Sequence, residues 1–217
     1  LLLVLPGQSY VMGSPTGLSG NPSAVTAGVA FNAAARAVDD YSNTVYANNP
    51  AVTYSVLGDA YAPDSGLDTL VSGSDIQPVT LIVATNTARI QATAPGYTAF
   101  TSSTMSVIAA AYSRLHLTLP GETFASGKPP YDGTGGKNGA ASLQVAGSPF
   151  NATVRAVDSF YNQISTNPTV SFTLADPNAT APAPIALAAT GAQTVAVTLK
   201  TSTSTVASSV ITASAPV

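Results

Sequence analysis

The sequence predicts an all-β protein made of two tandem immunoglobulin-like β-sandwich domains, and two observations support this. The 217 residues contain many short segments rich in β-branched residues and bounded by Gly, Pro, Asn or Asp, and helical periodicity is nowhere sustained. The chain also repeats itself: Arg36-Ala37-Val38-Asp39 returns 119 residues later as Arg155-Ala156-Val157-Asp158. A repeat of roughly a hundred residues has the length of a domain, whereas solenoid repeats have ~20 to 50 residues.

The repeat also predicts where the domains divide. Leu1–Gly7 aligns with Leu115–Gly121 at a spacing of 114 residues, and Ala27–Asn32 aligns with Ala146–Asn151 at a spacing of 119. A drifting spacing indicates loops of unequal length on a common scaffold. We therefore expect one immunoglobulin-like repeat over residues 1–113 and a second over 114–217.

Alternating apolar residues predict about seven short strands in each domain, the number typical of this sandwich class. In Phe150–Val157, for example, Ala152 and Val154 are expected to face the core, and Asn151 to face outward. The predicted strands are Leu1–Leu5, Ala30–Val38, Ala51–Leu57, Thr69–Ser72, Val79–Ala84, Ala88–Thr93 and Ser103–Ala109 in the first domain, and Leu115–Leu119, Leu143–Val145, Phe150–Val157, Val170–Leu174, Ile185–Ala188, Val195–Lys200 and Val206–Ala213 in the second.

The second domain is expected to lack its last strand. Ser103–Ala109 has no counterpart there, because only Val217 follows Pro216. A sandwich without its closing strand exposes backbone donors and acceptors together with an apolar face. Two explanations remain open: the chain is a piece of a longer protein, or a strand from a neighbouring copy completes the sheet.

Composition excludes several classes of partner. Only 8% of the residues are charged and the net charge is -3, so the basic stripe that nucleic-acid binding requires is missing. No run approaches the ~20 apolar residues of a membrane span, which predicts no membrane insertion. The chain has no cysteine and is rich in Ser, Thr and Pro, a composition that we interpret as extracellular or cell-surface.

Two Asp/Asn pairs recur at the end of a predicted strand: Asp39 with Asn43, and Asp158 with Asn162. Asp and Asn at such positions cap tight turns by bonding nearby backbone amides, and this is the favoured interpretation. Calcium is the alternative, but it needs six to eight oxygen ligands and each turn supplies few. Further carboxylates stand in first-domain loops without recognised spacing, namely Asp40, Asp59, Asp64 and Asp68.

No residue set predicts catalysis. His116, the single histidine, lies between Leu115 and Leu117 on an alternating strand, so we expect it to face solvent. Without a second histidine or a cysteine, the usual pairing of nucleophile and base is missing. We therefore predict a protein that is not an enzyme and that has no cofactor and no metal site.

Two N-glycosylation sequons are intact, at Asn151-Ala152-Thr153 and Asn178-Ala179-Thr180. The first lies on the predicted outward face of its strand, and the second lies in a loop rich in Pro and Ala. The corresponding first-domain segment, Asn32-Ala33-Ala34, is not a sequon. Both intact sites are plausible acceptors of glycans if the protein passes through a eukaryotic secretory pathway.

These motifs resemble a repeat of very large secreted or surface proteins of bacteria and algae, including extracellular fibres such as mastigonemes. The hallmarks are Leu-Pro-Gly-Glu, a Gly-rich loop, Ala-Gly-x-x-Phe, and Ala-Val-Asp-x-x-x-Asn. The second repeat has all of them, in 119–122, 146–150 and 156–162, and the first departs at Gln8, where Glu is expected. The resemblance implies a spacer module and carries no catalytic residues.

The sequence therefore predicts a structural segment of a long extracellular filament, sheath or stalk, whose partners are copies of itself, flanking repeats and attached glycans. The alternative is an adhesin-type module that binds carbohydrate or protein at the cell surface. Such a module would use exposed aromatic residues beside the Asp/Asn turns, namely Tyr41, Tyr46, Phe160 and Tyr161.

Overall fold

The computed structural model describes residues 1–63, 65–202 and 210–215. All regular structure in these residues is β-strand, and none of them lies in a helix, so no helix there is long and apolar enough to cross a membrane. The prediction of an all-β sandwich fold is confirmed. Contacts divide the chain into two compact units, 1–108 and 109–217, and the domain boundaries predicted at 113 and 114 remain predictions.

Within its described residues the first unit contains two larger sheets and the two-stranded hairpin β2-β3. One has the order β1-β5-β8, and the other has the order β4-β11-β9-β6-β7 with β10 paired to β9. Every strand pair is antiparallel except β11 with β4, which is parallel. The strands are β1 (Leu2–Val4), β2 (Ser9–Tyr10), β3 (Leu18–Ser19), β4 (Val25–Thr26), β5 (Phe31–Arg36), β6 (Ala51–Leu57), β7 (Leu67–Thr69), β8 (Ser74–Val79), β9 (Thr85–Thr93), β10 (Phe100–Thr101) and β11 (Met105–Ile108).

The second unit repeats the arrangement, with a sheet β12-β15-β18, a sheet β17-β16-β19 and a hairpin β13-β14. Its registers match those of the first unit. Leu117 pairs with Val154 as Leu3 pairs with Ala35, and Phe172 pairs with Ala213 as Tyr54 pairs with Ala92. The strands are β12 (Arg114–Thr118), β13 (Glu122–Phe124), β14 (Lys137–Gly139), β15 (Phe150–Val157), β16 (Thr169–Leu174), β17 (Ile185–Ala186), β18 (Ala192–Val197) and β19 (Ile211–Ser214).

The second core lies between these two sheets, and alternation on β15 explains how it forms. Ala152, Val154 and Ala156 point inward and are fully buried, whereas Asn151 points outward and is exposed. They pack against Val170, Phe172, Leu187, Val195 and Val197. Full burial of a side chain the size of Val154 contributes roughly 1.5 to 3 kcal/mol.

The Leu-Pro-Gly-Glu motif forms a type II turn after β12. The Glu122 N–H donates to the Leu119 carbonyl (3.0 Å), and Gly121 has φ +89°, the conformation that this turn requires at its third residue. A Cβ on Gly121 would also lie 2.4 Å from the carbonyl oxygen of Ala140. The Glu122 carboxylate accepts the Leu119 N–H (3.0 Å), and Gln8 accepts the Leu5 N–H in the same way (3.2 Å). The departure at Gln8 therefore preserves the turn.

Three predicted strands do not lie where the sequence placed them. Val79–Ala84 was expected to be a strand because it is apolar, but β8 ends at Val79 and Leu81 and Ile82 are buried in a following loop. Thr69–Ser72 lies mostly beyond β7, which ends at Thr69. Leu143–Val145 forms no strand, whereas the equivalent β4 pairs with β11. The start of the predicted strand Val206–Ala213 lies outside the described residues, as does Asp64.

Candidate functional site

The two Asp/Asn turns have the same geometry. Asp39 Oδ1 accepts the backbone N–H groups of Tyr41 (2.9 Å) and Asn43 (2.7 Å), and Asp39 Oδ2 accepts the Asn43 side-chain amide (3.1 Å). In the second unit, Asp158 bonds Phe160 (2.8 Å) and Asn162 (2.8 and 2.9 Å) in the same pattern. Each carboxylate thus fixes the chain reversal that follows its strand.

Burial distinguishes the two turns. Asp39 is exposed, and hydrogen bonds from the Asn43 backbone and side chain lower its pKa. Asp158 and Asn162 are completely buried. Asp158 Oδ2 also accepts the N–H of Ala110 (2.9 Å), and the Asn162 side-chain oxygen accepts the hydroxyl of Ser126 (2.7 Å). The second turn therefore joins the segment before β12 and the loop after β13 to the end of β15.

A cluster of rings covers the outer face of β12, and we call it the aromatic cap: His116, Phe124, Tyr131, Phe160 and Tyr161. His116 meets Phe124 and Tyr161 edge to face at 5.3 and 5.5 Å, and Tyr131 meets Phe160 at 5.1 Å. The Tyr161 hydroxyl accepts the Gly133 N–H (2.8 Å), and the Tyr131 hydroxyl donates to the Gly127 carbonyl (2.8 Å). The cap exists because the second unit's Gly-rich loop is five residues longer than its first-unit equivalent.

The cap corrects two predictions. His116 was expected to face solvent; it does point away from the core, but the loop covers it and it is 5% exposed. Tyr161 was expected to be an exposed ring, yet it is 1% exposed, and Phe160 is half-buried. Alternation along a strand indicates which face a side chain occupies, and it does not indicate whether a distant loop covers that face.

Burial keeps His116 neutral. Desolvation lowers the pKa of His116, and the positive charges of Lys137 and Arg155 act in the same direction. The Gly135 carbonyl, which lies 3.2 Å from Nε2, opposes this effect. Nδ1 has no hydrogen-bond partner within the described part of the chain. The ring is therefore a packed group of the cap, and its neutral form with a proton on Nε2 can donate to the Gly135 carbonyl.

A second pair of buried carboxylates, Asp59 and Asp176, was not recognised from the sequence, where Asp59 was named only as a loop carboxylate without recognised spacing. Asp59 accepts the backbone N–H groups of Tyr61, Ile82 and Val83. Its second-unit equivalent, Asp176, accepts those of Asn178, Lys200 and Thr201 and the Thr201 hydroxyl, at 2.6 to 3.0 Å. The pKa of Asp176 is lowered, and the hydrogen bonds from Thr201 are the largest cause. The sequence signal that could have revealed this pair is that an Asp stands at this position in both repeats.

Both carboxylates accept several backbone N–H groups from a distant segment, so they hold loops in place. This use also explains the misplaced strand over Val79–Ala84, because Asp59 binds Ile82 and Val83 in a loop. Within the described residues, no group of three or more His, Asp or Glu side chains is arranged to hold a metal ion. Asp59, one of the calcium candidates, directs its oxygens to backbone amides.

The first sequon borders an open groove of about 610 Å³ on the outer face of the second unit. Asn151 is exposed at its edge, and Arg155 stacks 4.7 Å from the Phe124 ring centre on its floor while donating to the Thr118 hydroxyl (2.9 Å). Asn178 is exposed as well, and its side-chain amide donates to the Thr201 hydroxyl (3.0 Å). Both acceptor side chains are therefore accessible on the folded surface.

The first unit keeps its turn aromatics outside. Tyr41 is 74% exposed and Tyr46 is 64% exposed. The residue before Asn43 is Ser42, where the second unit has Tyr161, and both have positive φ, +60° and +63°. Of the four aromatic residues predicted to form an exposed set, only the two in the first unit are well exposed.

No protein-family model matches the chain, and no curated protein matches it. Among solved structures, one match is the apo structure of Bacteroides uniformis beta-glucuronidase 3, at 16% identity and a TM-score of 0.29. That match covers 89% of this chain and 22% of the other, so this chain spans about a fifth of that protein. A similarity this distant carries no functional argument.

Proposed function

We propose that the chain is a non-catalytic structural segment of a long extracellular filament, sheath or stalk, built from immunoglobulin-like repeats. The supporting observation is that the polar side chains with the most hydrogen bonds are scaffold clamps present in both units. Asp39 and Asp158 fix one turn, and Asp59 and Asp176 fix one loop. Duplicated clamps keep each unit rigid, as a spacer requires, and they direct these carboxylates to backbone amides of their own unit.

The surface chemistry is consistent with an assembly of copies in an extracellular setting. With 8% charged residues, neighbouring copies repel one another weakly and can pack closely. The exposed Asn151 and Asn178 would carry glycans on the second unit, and the groove beside Asn151 leaves room for an attached sugar. The partners in this proposal are other copies, flanking repeats and these glycans.

Immunogold labelling of the native organism with antibodies raised against residues 1–217 tests the proposal. Gold at regular intervals along extracellular fibres, or continuous labelling of a sheath, is the expected result. Label confined to the cytoplasm would contradict the proposal. Glycopeptide mass spectrometry of the same material tests both sequons, because an occupied asparagine converts to aspartate when an amidase releases its glycan.

The second candidate is an adhesin, and exposed Tyr41 and Tyr46 favour it. Exposed aromatic rings beside polar turns are suited to stacking on sugars and to protein contacts. A carbohydrate or cell-binding array probed with the intact chain and with a Tyr41→Ser/Tyr46→Ser double variant distinguishes the candidates. Binding that the double variant loses would favour the adhesin, and equal signals from both proteins would count against it.

A further inference from the structure

The longest uncovered sheet edges of the described residues are β8 in the first unit and β18 in the second. β8 ends the sheet β1-β5-β8, and β18 ends the sheet β12-β15-β18. Both strands have six residues, and they are equivalent, because Ile76 pairs with Ala34 as Thr194 pairs with Thr153. The two edges can therefore be compared residue by residue.

Backbone hydrogen bonds show which groups of β18 are free. The Ala156 N–H donates to the Gly191 carbonyl (2.8 Å), so these two residues form a hydrogen-bonded pair of the ladder between β15 and β18. In an antiparallel ladder, hydrogen-bonded and non-hydrogen-bonded pairs alternate. Three residues of β18 therefore direct their N–H and C=O groups away from β15, and within the described chain no strand bonds them there. They are Ala192, Thr194 and Ala196.

The first-unit edge is guarded at two positions. Pro78 stands at an outward position of β8, where it removes a donor from the edge. Asp75 directs a charge towards the other sheet, where it accepts the Tyr54 hydroxyl (2.8 Å). Proline and inward-pointing charges are two of the devices that keep sheet edges from pairing with other chains. The second unit has Ala196 and Gln193 at these positions, so β18 has neither guard.

The side chains on the outer face of β18 are small and uncharged. Thr194 is exposed and pairs with Thr153, which pairs with Thr118, so three threonines form a row across the sheet. On β18 itself, Ala192 and Ala196 flank Thr194 and carry only methyl groups. An approaching strand therefore meets neither a charge nor a large side chain on β18.

The edge strand that matches β18 best is β18 of a second copy. Among the edge strands of the described residues, only β8, β12 and β18 have five or more residues. β8 is guarded, and β12 contains the charged Arg114. An edge without charge offers a charged partner no complementary group, whereas β18 is as neutral and as long as the edge that it would cover.

Antiparallel pairing about a two-fold axis at Thr194 uses every free group of this edge. Thr194 faces Thr194 of the other copy, and Ala192 of each copy faces Ala196 of the other. Each of these three pairs forms two backbone hydrogen bonds, about six in all. The row of threonines continues across the axis, and Thr–Thr pairs between neighbouring strands are favourable.

We propose that the β18 edge of the second unit is a self-association surface, to which a second copy of this chain adds its own β18 in antiparallel orientation. The two three-stranded sheets then become one continuous sheet, and the interface is isologous, because both molecules present the same surface. A single strand pair buries less than the ~1,200 Å² typical of stable complexes. The contact is therefore weak between isolated molecules and gains strength where many repeats are linked. The inference rests on the proposed function only for that linkage.

The test uses the intact, ¹⁵N-labelled chain 1–217 at concentrations from about 0.05 to 1 mM. As the concentration rises, the amide signals of Ala192, Thr194 and Ala196 are expected to shift, and their hydrogen exchange is expected to slow by at least about threefold. Ile76 is the internal control, because its amide is the equivalent of Thr194 on the guarded edge and its exchange rate is expected to stay constant. Exchange at β18 that does not depend on concentration would overturn the proposal and leave this edge to a different partner.

Ala196→Pro introduces the proline that β8 has at the equivalent position, and β8 shows that the fold accepts it in this register. This variant is expected to lose the concentration dependence, because it removes an outward donor from the edge. If Ala196→Pro retains the concentration dependence, the association involves another surface and the proposal is wrong.

Thr194→Lys and Thr194→Glu test whether the occupant is a second copy, because the two-fold axis sets residue 194 opposite itself. Each variant alone brings like charges together and is expected to stay monomeric, whereas an equimolar mixture is expected to restore the shifts. A mixture that behaves like its separate components would overturn the proposal. None of these results depends on where the protein is located, so the proposed function is tested separately.

Discussion

Replacing Asp158 by alanine removes the most connected carboxylate of the buried turn. Four N–H groups lose their acceptor. They are the backbone N–H groups of Phe160, Ala110 and Asn162 and the side-chain amide of Asn162, whose nitrogens lie 2.8 or 2.9 Å from the carboxylate oxygens. A buried donor left unpaired costs about 1 to 3 kcal/mol. Water that enters the space left by the carboxylate bonds some of these donors and so offsets part of this cost. We expect the free energy of unfolding of the second unit to fall by about 3 to 5 kcal/mol.

The assay is hydrogen–deuterium exchange of the intact chain, followed by mass spectrometry of peptides from each unit. A loss of 3 to 5 kcal/mol corresponds to exchange roughly 100 to 5,000 times faster in the most protected amides of β12 and β15. Asp39→Ala is the matched control, because the same turn is exposed there and water can replace the carboxylate. If β12 and β15 in Asp158→Ala exchange within about threefold of the wild-type rate, the clamp does not stabilise the unit as argued.

Three further results are expected. The pKa of His116 is lower in the folded state, so the unfolded chain takes up a proton first as the pH falls. The second unit therefore loses stability as the pH falls from 6.5 through the lower folded value. Urea midpoints at pH 7.5 and pH 5 measure this loss, and a pH-independent midpoint in the wild type, or a strongly pH-dependent one in His116→Phe, would contradict it. Gly136→Ala, whose Cβ would lie 2.5 Å from the Tyr161 ring, is expected to cost roughly 2 to 4 kcal/mol; Gly147→Ala, at a similar φ in open space, is expected to cost less, and equal thermal midpoints would exclude the clash. Glu122→Gln is expected to change stability by less than about 1 kcal/mol, because Gln8 makes the same turn bond in the first unit. Glu122 also forms an ion pair with Lys137 (2.6 Å), and a larger shift of the denaturation midpoint would show that this ion pair matters more than the turn bond.

Sequence patterns predicted the parts of the fold that depend on local periodicity. The alternation on Phe150–Val157 predicted the buried face of β15, and the internal repeat predicted two similar sets of strands. The hairpin β13-β14 was missed because its strands are three residues long and flank a Gly-rich loop. Val79–Ala84 was misplaced because its apolar residues are buried in a loop held by Asp59 rather than in a sheet.

The candidate sites likewise divide into local contacts, which the sequence predicted, and distant contacts, which it did not. Asp39 with Asn43 and Asp158 with Asn162 stand four residues apart, so their contacts are local and their geometry follows from spacing. Asp176 reaches the amides of Lys200 and Thr201 across more than twenty residues, and local spacing carries no information about such a contact.

The sequence by itself determined the all-β class, the repetition, the outward position of Asn151 and the low charge, because each follows from residue type and a period of two. The tertiary structure alone decided that His116 and Tyr161 are buried. Burial depends on what a distant segment places over a face. For both residues that segment is the longer Gly-rich loop of the second unit, which contacts His116 through Gly135 and Tyr161 through Gly133.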